Sequence, residues 1–381
     1  MRLVLISNYF NHHQKTVSDE LYRLCDSFCF VETNEISEMR KKLGYSEMTA
    51  PYVIKADDLN KEKLNNADVI IIGAAPIGLI DGVKRDKLIF YYSERPFKKE
   101  RNLFEHIYWD MRWRKRNRGI KAPYMLCSSA FAAVDYSRFG LYKNKLYKWG
   151  YFPKTETYDL SELFDKKDKK EILWCGRFLD WKHPDDALTV AKMLKSDGYG
   201  FNLSFIGTGE MEQQLRKTVN EYGLDDCVSF LGSKNPEKVR RYMEKSGIFL
   251  MTSDRQEGWG AVLNEAMNSG CAVVASHSAG STHYLIKHKE NGLIYTSGNI
   301  DDLYNKVKYL LNDPAEQKKL GASAYNTITD EWNAQTAAQR LVRLFKAVLD
   351  GEKSPDLYPS GPCSKAYVIK DDWFNEDEKN Y

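Results

Sequence analysis

The segment Glu257-Gly258-Trp259-Gly260-Ala261-Val262-Leu263-Asn264-Glu265 sets two carboxylates and two glycines where an apolar run, Ile248 to Met251, gives way to a helical pattern. Backbone N–H groups at such a junction suit an anion, and a phosphate is the natural occupant. With a helix starting near Trp259, eight residues place Glu257 and Glu265 about 12 Å apart along the axis. Carboxylates that far apart do not share a proton. Such a pair suits hydroxyls at the two ends of an elongated ligand, such as the sugar and the ribose on either side of a diphosphate, with a helix bearing an N-terminal Glu and one exposed Glu as the alternative for an isolated match. Two further segments belong to the same end of a sheet: Gly176-Arg177-Phe178-Leu179-Asp180-Trp181-Lys182 after the run Ile172 to Cys175, and Gly207-Thr208-Gly209-Glu210 after Leu203 to Ile206. Arg177 offers a fixed fork of donors and Lys182 a mobile point charge, suited to a leaving diphosphate whose charge grows as a glycosidic bond breaks. Gly207 and Gly209 permit close backbone approach, although an isolated G-x-G is more often a turn.

Taken in this order and spacing, the motifs resemble those of the group 1 retaining glycosyltransferases of the two-Rossmann (GT-B) type, over about residues 170 to 350. The resemblance implies that Glu257 holds donor-sugar hydroxyls and that Trp259 and Gly260, beside Gly258, present backbone amides to sugar and phosphate. It further implies that Glu265 binds the ribose, with Asn264 beside it among the donor-binding residues, and that Arg177 and Lys182 neutralise the diphosphate. Ser233 and Lys234, after Leu231-Gly232, fall where the family reads the base. One departure is Cys175-Gly176-Arg177, which lacks the small residue usual between Gly and Arg. The implied reaction moves a hexosyl or N-acetylhexosaminyl group from a nucleotide sugar, UDP-linked, to a hydroxyl of a glycan or lipid-linked acceptor in polysaccharide assembly. Attack comes on the leaving-group face, a donor phosphate oxygen takes the acceptor proton, and no protein nucleophile is needed. The chain has no Asp-x-Asp triplet, H-E-x-x-H or Cys cluster, so neither a metal nor another cofactor is expected.

Acceptor choice falls to the first half. There Asn8-Tyr9-Phe10-Asn11-His12-His13 occupies a loop that the resembled family often fills with glycines. His12 or His13 is a candidate to bond acceptor or phosphate, with loop packing as the alternative. Ser93-Glu94-Arg95-Pro96, after Leu88 to Tyr92, adds Glu94 and Arg95 as acceptor-side candidates, with a structural salt bridge as the alternative. Residues 98 to 121 gather Lys98, Lys99, Arg101, Arg112, Arg114, Lys115, Arg116, Arg118 and Lys121 among Phe104, Tyr108, Trp109, Met111 and Trp113. Such a stripe can rest on anionic lipid headgroups, or be a solvated helix with its aromatics in the core.

These residues need a scaffold of parallel strands. Short β-branched runs at 2–7, 68–73, 87–92, 123–127, 171–175, 202–206, 227–231, 247–252, 272–276 and 292–295 alternate with helical patterns, which predicts two doubly wound α/β domains. The reading is a Rossmann-like first domain over 1–150, a charged linker over 151–170 and a second Rossmann-like domain over 171–331. A closing helix over 332–350 then crosses back to the first domain, and a tail runs over 351–381. By the resemblance, the two domains face a central cleft.

Composition fits this. Among 381 residues, 43% hydrophobic and 29% charged is near the globular average, which excludes a disordered chain. A net charge of +3 excludes a polycationic nucleic-acid binder, so any basic surface is local. The amino terminus lacks the apolar core of a signal peptide, and the longest apolar stretch, 67–80, is too short and broken to span a bilayer. Seven cysteines without metal-ligand spacing point to reduced thiols in the cytoplasm, at most peripheral to the inner face of a membrane; the spacing of Cys25 and Cys29 is compatible with one helix face, as a structural rather than a redox or metal pair. Two rivals remain: a nucleotide-sugar epimerase or hydrolase, which would release product without an acceptor, and a non-catalytic sugar-nucleotide-binding partner, which would turn nothing over.

Overall fold

The computed structural model describes residues 1–36, 48–83, 87–99, 102–120, 123–140 and 142–374. Two compact units share the chain. Unit 1 takes Met1–Lys154 and Glu331–Lys370; unit 2 takes Thr155–Asp330 and the chain from Asp371. The backbone therefore passes between them three times, after Lys154, Asp330 and Lys370.

Unit 1 holds β1 (Arg2–Ser7), β2 (Ser27–Glu32), β3 (Val53–Lys55), β4 (Val69–Ile72), β5 (Leu88–Ser93), β6 (Tyr124–Cys127) and β7 (Leu146–Lys148), in the order β3-β2-β1-β4-β5-β6-β7. Every neighbouring pair is parallel. β4 reads Val-Ile-Ile-Ile with all four residues buried, as a sheet covered on both faces requires. The closing helix, Ala334–Leu349, buries Ala338, Leu341 and Phe345 in this unit and packs on the first helix, His12–Leu24; Phe345 meets Phe90 edge-on at 4.7 Å.

Unit 2 holds β8 (Asp168–Cys175), β9 (Asn202–Ile206), β10 (Val228–Phe230), β11 (Ser246–Met251), β12 (Ala272–Ser276) and β13 (Leu293–Tyr295), in the order β10-β9-β8-β11-β12-β13. All pairs are again parallel. Both units are thus Rossmann-like. In unit 2 the chain runs outward from β8 to β10, then returns to β11 on the other side of β8. The order reverses between β8 and β11, and in unit 1 between β1 and β4. Open parallel sheets bind ligands at such switch points, outside the carboxyl ends of the strands.

Three details depart from expectation, and the placement of the tail, left open by the sequence, is given by the structure. β2, β3 and β7 were not foreseen. Cys25 ends the first helix while Cys29 lies in β2, so the two share no helix face. The stretch expected as a linker opens unit 2: Asp159 caps the helix Leu160–Asp165 by accepting from Ser161 N (2.8 Å) and Glu162 N (3.1 Å), and Lys167 donates to the carbonyls of Met243 and Ser246. The tail is docked through Phe374. Cys363 N and Lys148 O, and Lys148 N and Ser364 O, pair at 2.8 Å each along the edge strand β7, covering groups that would otherwise invite another strand. Farther on, Asp371 pairs with Arg255 at 3.1 Å and Trp373 meets the His283 ring at 4.6 Å. Among the described residues, no helix is long and apolar enough to cross a membrane.

Candidate functional site

The loops after β8, β9 and β11 share one end of the unit 2 sheet, because the three strands are adjacent and parallel. After β8, Trp181 forms a platform: the Lys182 ammonium lies 4.7 Å from its ring centre and the exposed Arg177 guanidinium 6.0 Å. Lys182 also bonds the Glu257 carboxylate from the β11 loop, and the two side chains are 13% and 11% exposed. Ser253 Oγ donates to the same carboxylate at 3.2 Å, and Gly280 N holds the Glu257 carbonyl at 3.1 Å. Residues expected on diphosphate and on sugar therefore meet directly at the β8/β11 switch point.

The glycines are required by close approach. A Cβ on Gly207, where φ is +141°, would fall 1.8 Å from Gly176 O; one on Gly209 would fall 2.4 Å from Phe178 O. The β8 and β9 loops are laced together there, with Phe178 N donating to Thr208 O at 3.0 Å and Met211 N to Phe178 O at 3.2 Å.

The helix after β11 spans Val262–Asn268 and does not start at Trp259. Gly260, at φ +84°, turns the chain first, and a Cβ there would lie 2.2 Å from Met251 Cε. Glu257 thus precedes the helix, and the straight-helix separation of about 12 Å does not describe the two glutamates. Trp259 is fully buried, and its indole N–H donates to Asn264 Oδ1 at 2.8 Å. Asn264, expected among the donor-binding residues, is itself only 1% exposed and fixes this turn from behind. Gly258 is buried in the same turn.

Burial pushes the Glu265 carboxyl above its ordinary range, with Arg240 opposing. Cys175, at the end of β8, feels both Glu265 and Lys182; burial first, then the Glu265 charge, push its thiol up to about 12, with Lys182 opposing. Ser233 is exposed on the loop after β10, where Lys234 folds back to donate to Leu231 O.

The sequence reading missed a third group. His183, Asp185 and Asp186 hold ligand-type atoms all within 4.8 Å of one another, because His183, at φ +46°, turns the chain just before the helix Pro184–Ser196. His183 also faces Asp254 at 3.4 Å, and burial raises the Asp186 carboxyl to about 6. No metal-binding spacing announces this group.

In unit 1, His12 and His13 open the first helix, held by Asn11, whose side chain accepts from His13 N at 2.9 Å. Burial lowers the pKa of His12, and burial together with His12 takes His13 to about 3. Tyr151, which the sequence reading overlooked, joins the candidates: its ring stacks on His13 at 5.8 Å and its hydroxyl donates to Glu94 at 2.8 Å. Arg95 is different. It is buried against Asp135 at 3.3 Å, with Phe97 N on the same carboxylate, and anchors its loop to the helix Ala132–Ser137. A structural ion pair replaces the expected acceptor contact. An open cavity of about 300 Å³ lies past the ends of β4 and β5, walled by Tyr91, Tyr92, Trp113 and Tyr136 with Ser93 at its edge. Of the basic stripe, Arg101 and Lys121 lie outside the described residues.

Residues 159–327 match the model of the family described as glycosyl transferases group 1. An uncharacterized glycosyltransferase of Haemophilus influenzae is 30% identical over 175 residues, which is 44% of this chain and 49% of that protein. The amylovoran biosynthesis glycosyltransferase AmsK of Erwinia amylovora is 29% identical over 180 residues, 46% of this chain and 44% of that protein. The chain spans about half the length of these curated relatives. HepE of Anabaena, solved with UDP and glucose, shares the fold at a TM-score of 0.65 and 14% identity, over 91% of this chain and 100% of that one. The lipopolysaccharide outer core galactosyltransferase WaaB does so at 0.66 and 15%, with the same coverage. The two-domain architecture is that of the GT-B glycosyltransferases.

Proposed function

We propose, from the match of residues 159–327 to the group 1 glycosyl transferase family model, that the protein is a retaining glycosyltransferase. It moves a sugar from a nucleotide-sugar donor, UDP-linked, to a hydroxyl of a glycan or lipid-linked acceptor in polysaccharide assembly, on the cytoplasmic side. The observation that carries this reading is the meeting of Lys182 and Glu257 at the β8/β11 switch point, beside the glycine-laced loops and Arg177. The name of AmsK and the UDP and glucose held by HepE favour a sugar nucleotide and a polysaccharide setting.

In this reading Arg177 and Lys182 take up the charge of the leaving diphosphate, a stabilisation that grows with bond breaking and so lowers the barrier. Glu257 orients the transferring sugar, Glu265 the ribose, and Ser233 with Lys234 border the base. No metal takes part. The acceptor sugar lies on unit 1, where the cavity past β4 and β5 offers room and Glu94, Tyr151, His12 and His13 are the polar candidates to bond it.

The test is a thermal-shift panel of nucleotide sugars, since a ligand at 100 times its Kd adds about 2.7 kcal/mol of stability. Product analysis with the best donor follows. A shift with one UDP-sugar and a product of unchanged anomeric configuration is expected. No shift with any donor, or inversion at the anomeric carbon, overturns the reading.

A further inference from the structure

We propose that the helix Leu103–Arg116 is a docking surface for an anionic lipid bilayer. The helix starts from a capping box in which Asn102 and Glu105 each accept from the other's N–H at 3.0 Å. Its inner face is anchored: Trp113 is buried, stacks on Phe139 at 5.4 Å and donates to Tyr142 Oη at 3.0 Å. The opposite face is apolar and open. Leu103, Phe104, Ile107, Tyr108 and Met111 are all exposed, Phe104 at 81% and Met111 at 67%. At 3.6 residues per turn these five span about 140° of the helix circumference, a single stripe across from Trp113. The sequence pattern alone put Phe104, Tyr108, Trp109, Met111 and Trp113 with either the lipid or the core; Trp113 is core and Trp109 packs half-buried against it, while the other three are exposed.

Basic side chains continue that stripe. Arg114 and Lys115 fall within the same sector of the helix, about one turn beyond Met111, and both are exposed. Arg112 at the edge donates to Tyr108 Oη at 3.3 Å, while Lys99 and Arg118 lie just before and after the helix. The acidic residues on the helix are engaged: Glu105 in the cap, Asp110 with Arg114 at 3.0 Å. An apolar stripe that ends in cations fits a membrane interface, where hydrocarbon takes the rings and anionic headgroups take the charges. A second copy of the chain is the rival occupant of the apolar stripe, and the experiment separates it by self-association. Nucleic acid would leave the five apolar side chains in water.

Full-length protein is floated with vesicles of phosphatidylcholine alone and of phosphatidylcholine mixed with phosphatidylglycerol. Binding to the mixed vesicles is expected. It should weaken as salt rises from about 0.1 to 1 M and the Debye length shrinks from about 10 to 3 Å. Phe104→Ser with Met111→Ser, and separately Arg114→Ser with Lys115→Ser, should each lower vesicle affinity about 10-fold or more, with the melting temperature unchanged since these side chains are exposed. Equal binding to neutral and anionic vesicles, or no loss in either variant, overturns the proposal. So does self-association abolished by the Phe104 and Met111 changes without vesicle binding, which would make the face a contact between copies. Vesicle binding needs no donor, so this result stands apart from the transfer assay.

Discussion

Lys182 from the β8 loop and Glu257 from the β11 loop bond directly, with both side chains largely withdrawn from solvent. Breaking a buried pair from one side leaves an uncompensated charge, which costs about 3 to 5 kcal/mol, whereas removing both charges costs far less. Glu257→Gln and Lys182→Met should each lower the melting temperature, and the double variant should recover most of the loss while staying inactive. Additive losses in this double-mutant cycle would show that the pair is not coupled.

In catalysis Glu257→Gln should act mainly on kcat, because the sugar ring reorganises in the transition state. A charge-assisted hydrogen bond worth about 1.5 to 3 kcal/mol corresponds to roughly 10-fold to 150-fold in kcat/KM. Steady-state kinetics of a folded variant check this; a change confined to the donor KM removes Glu257 from the reacting sugar.

Glu265→Gln is expected to separate stability from binding. The buried carboxyl titrates above its ordinary range, so the native protein holds its proton more tightly than the unfolded chain. Above the folded pKa the ionised group is a liability, and stability rises as pH falls through that pKa towards the unfolded value. At pH 7 the neutral amide should therefore raise the melting temperature of the ligand-free protein, while the donor KM increases through the lost ribose contact. A lower melting temperature with unchanged KM contradicts both parts.

His13 sets a pH dependence of the opposite sign. Its folded pKa of about 3 lies well below the ordinary value of 6.5, so the unfolded chain binds the extra proton between those limits. The contribution of His13 is complete above about pH 6.5 and is lost at up to about 1.4 kcal/mol per pH unit as pH falls towards 3. Denaturant titrations of the wild type and His13→Gln at pH 7, 6 and 5 should diverge in slope; parallel curves exclude this role.

Excess EDTA should leave the initial rate unchanged, given the cationic pair Arg177 and Lys182 for the diphosphate. Should manganese or magnesium restore a lost rate, and Asp185→Asn with Asp186→Asn remove that rescue, the His183 cluster becomes a metal site and metal-independent transfer is wrong.

Gly209→Ala should cost about 1 to 3 kcal/mol, because the new Cβ falls 2.4 Å from the Phe178 carbonyl and neither backbone can yield alone. Gly78→Ala serves as the control, since its Cβ meets nothing nearer than 3.8 Å. Equal stability of the two variants would mean that the loops are not held together.

The alternation of β-branched runs with helical patterns made ten of the thirteen strands among the described residues legible, since buried parallel strands such as β4 carry their signal in composition. β3 and β7 escaped because each closes on a lysine after only two apolar residues, unlike the equally short β10 and β13, and β2 because only Cys25 and Asp26 separate it from the preceding helix. At the site, Glu257, Arg177 and Lys182 were legible as types at a sheet end. Their pairing was not, because it depends on β11 returning beside β8. The helix start was misplaced by Gly260, whose positive φ is a conformation and not a pattern. Tyr151 and the His183 cluster escaped because their partners are distant in sequence or held by a local turn.

The threefold passage of the backbone between the units bears on how such a protein can be cut or inherited. Neither unit is a continuous stretch: a fragment ending at Lys154 lacks the helix Ala334–Leu349 and bares the Val17 and Leu21 face of the first helix, and one ending at Asp330 has the same defect. Recombination that exchanged unit 2 by a single crossover would strand that helix with the wrong partner. A functional swap needs at least two junctions, near 154 and 330, with the closing helix kept alongside the amino terminus it covers.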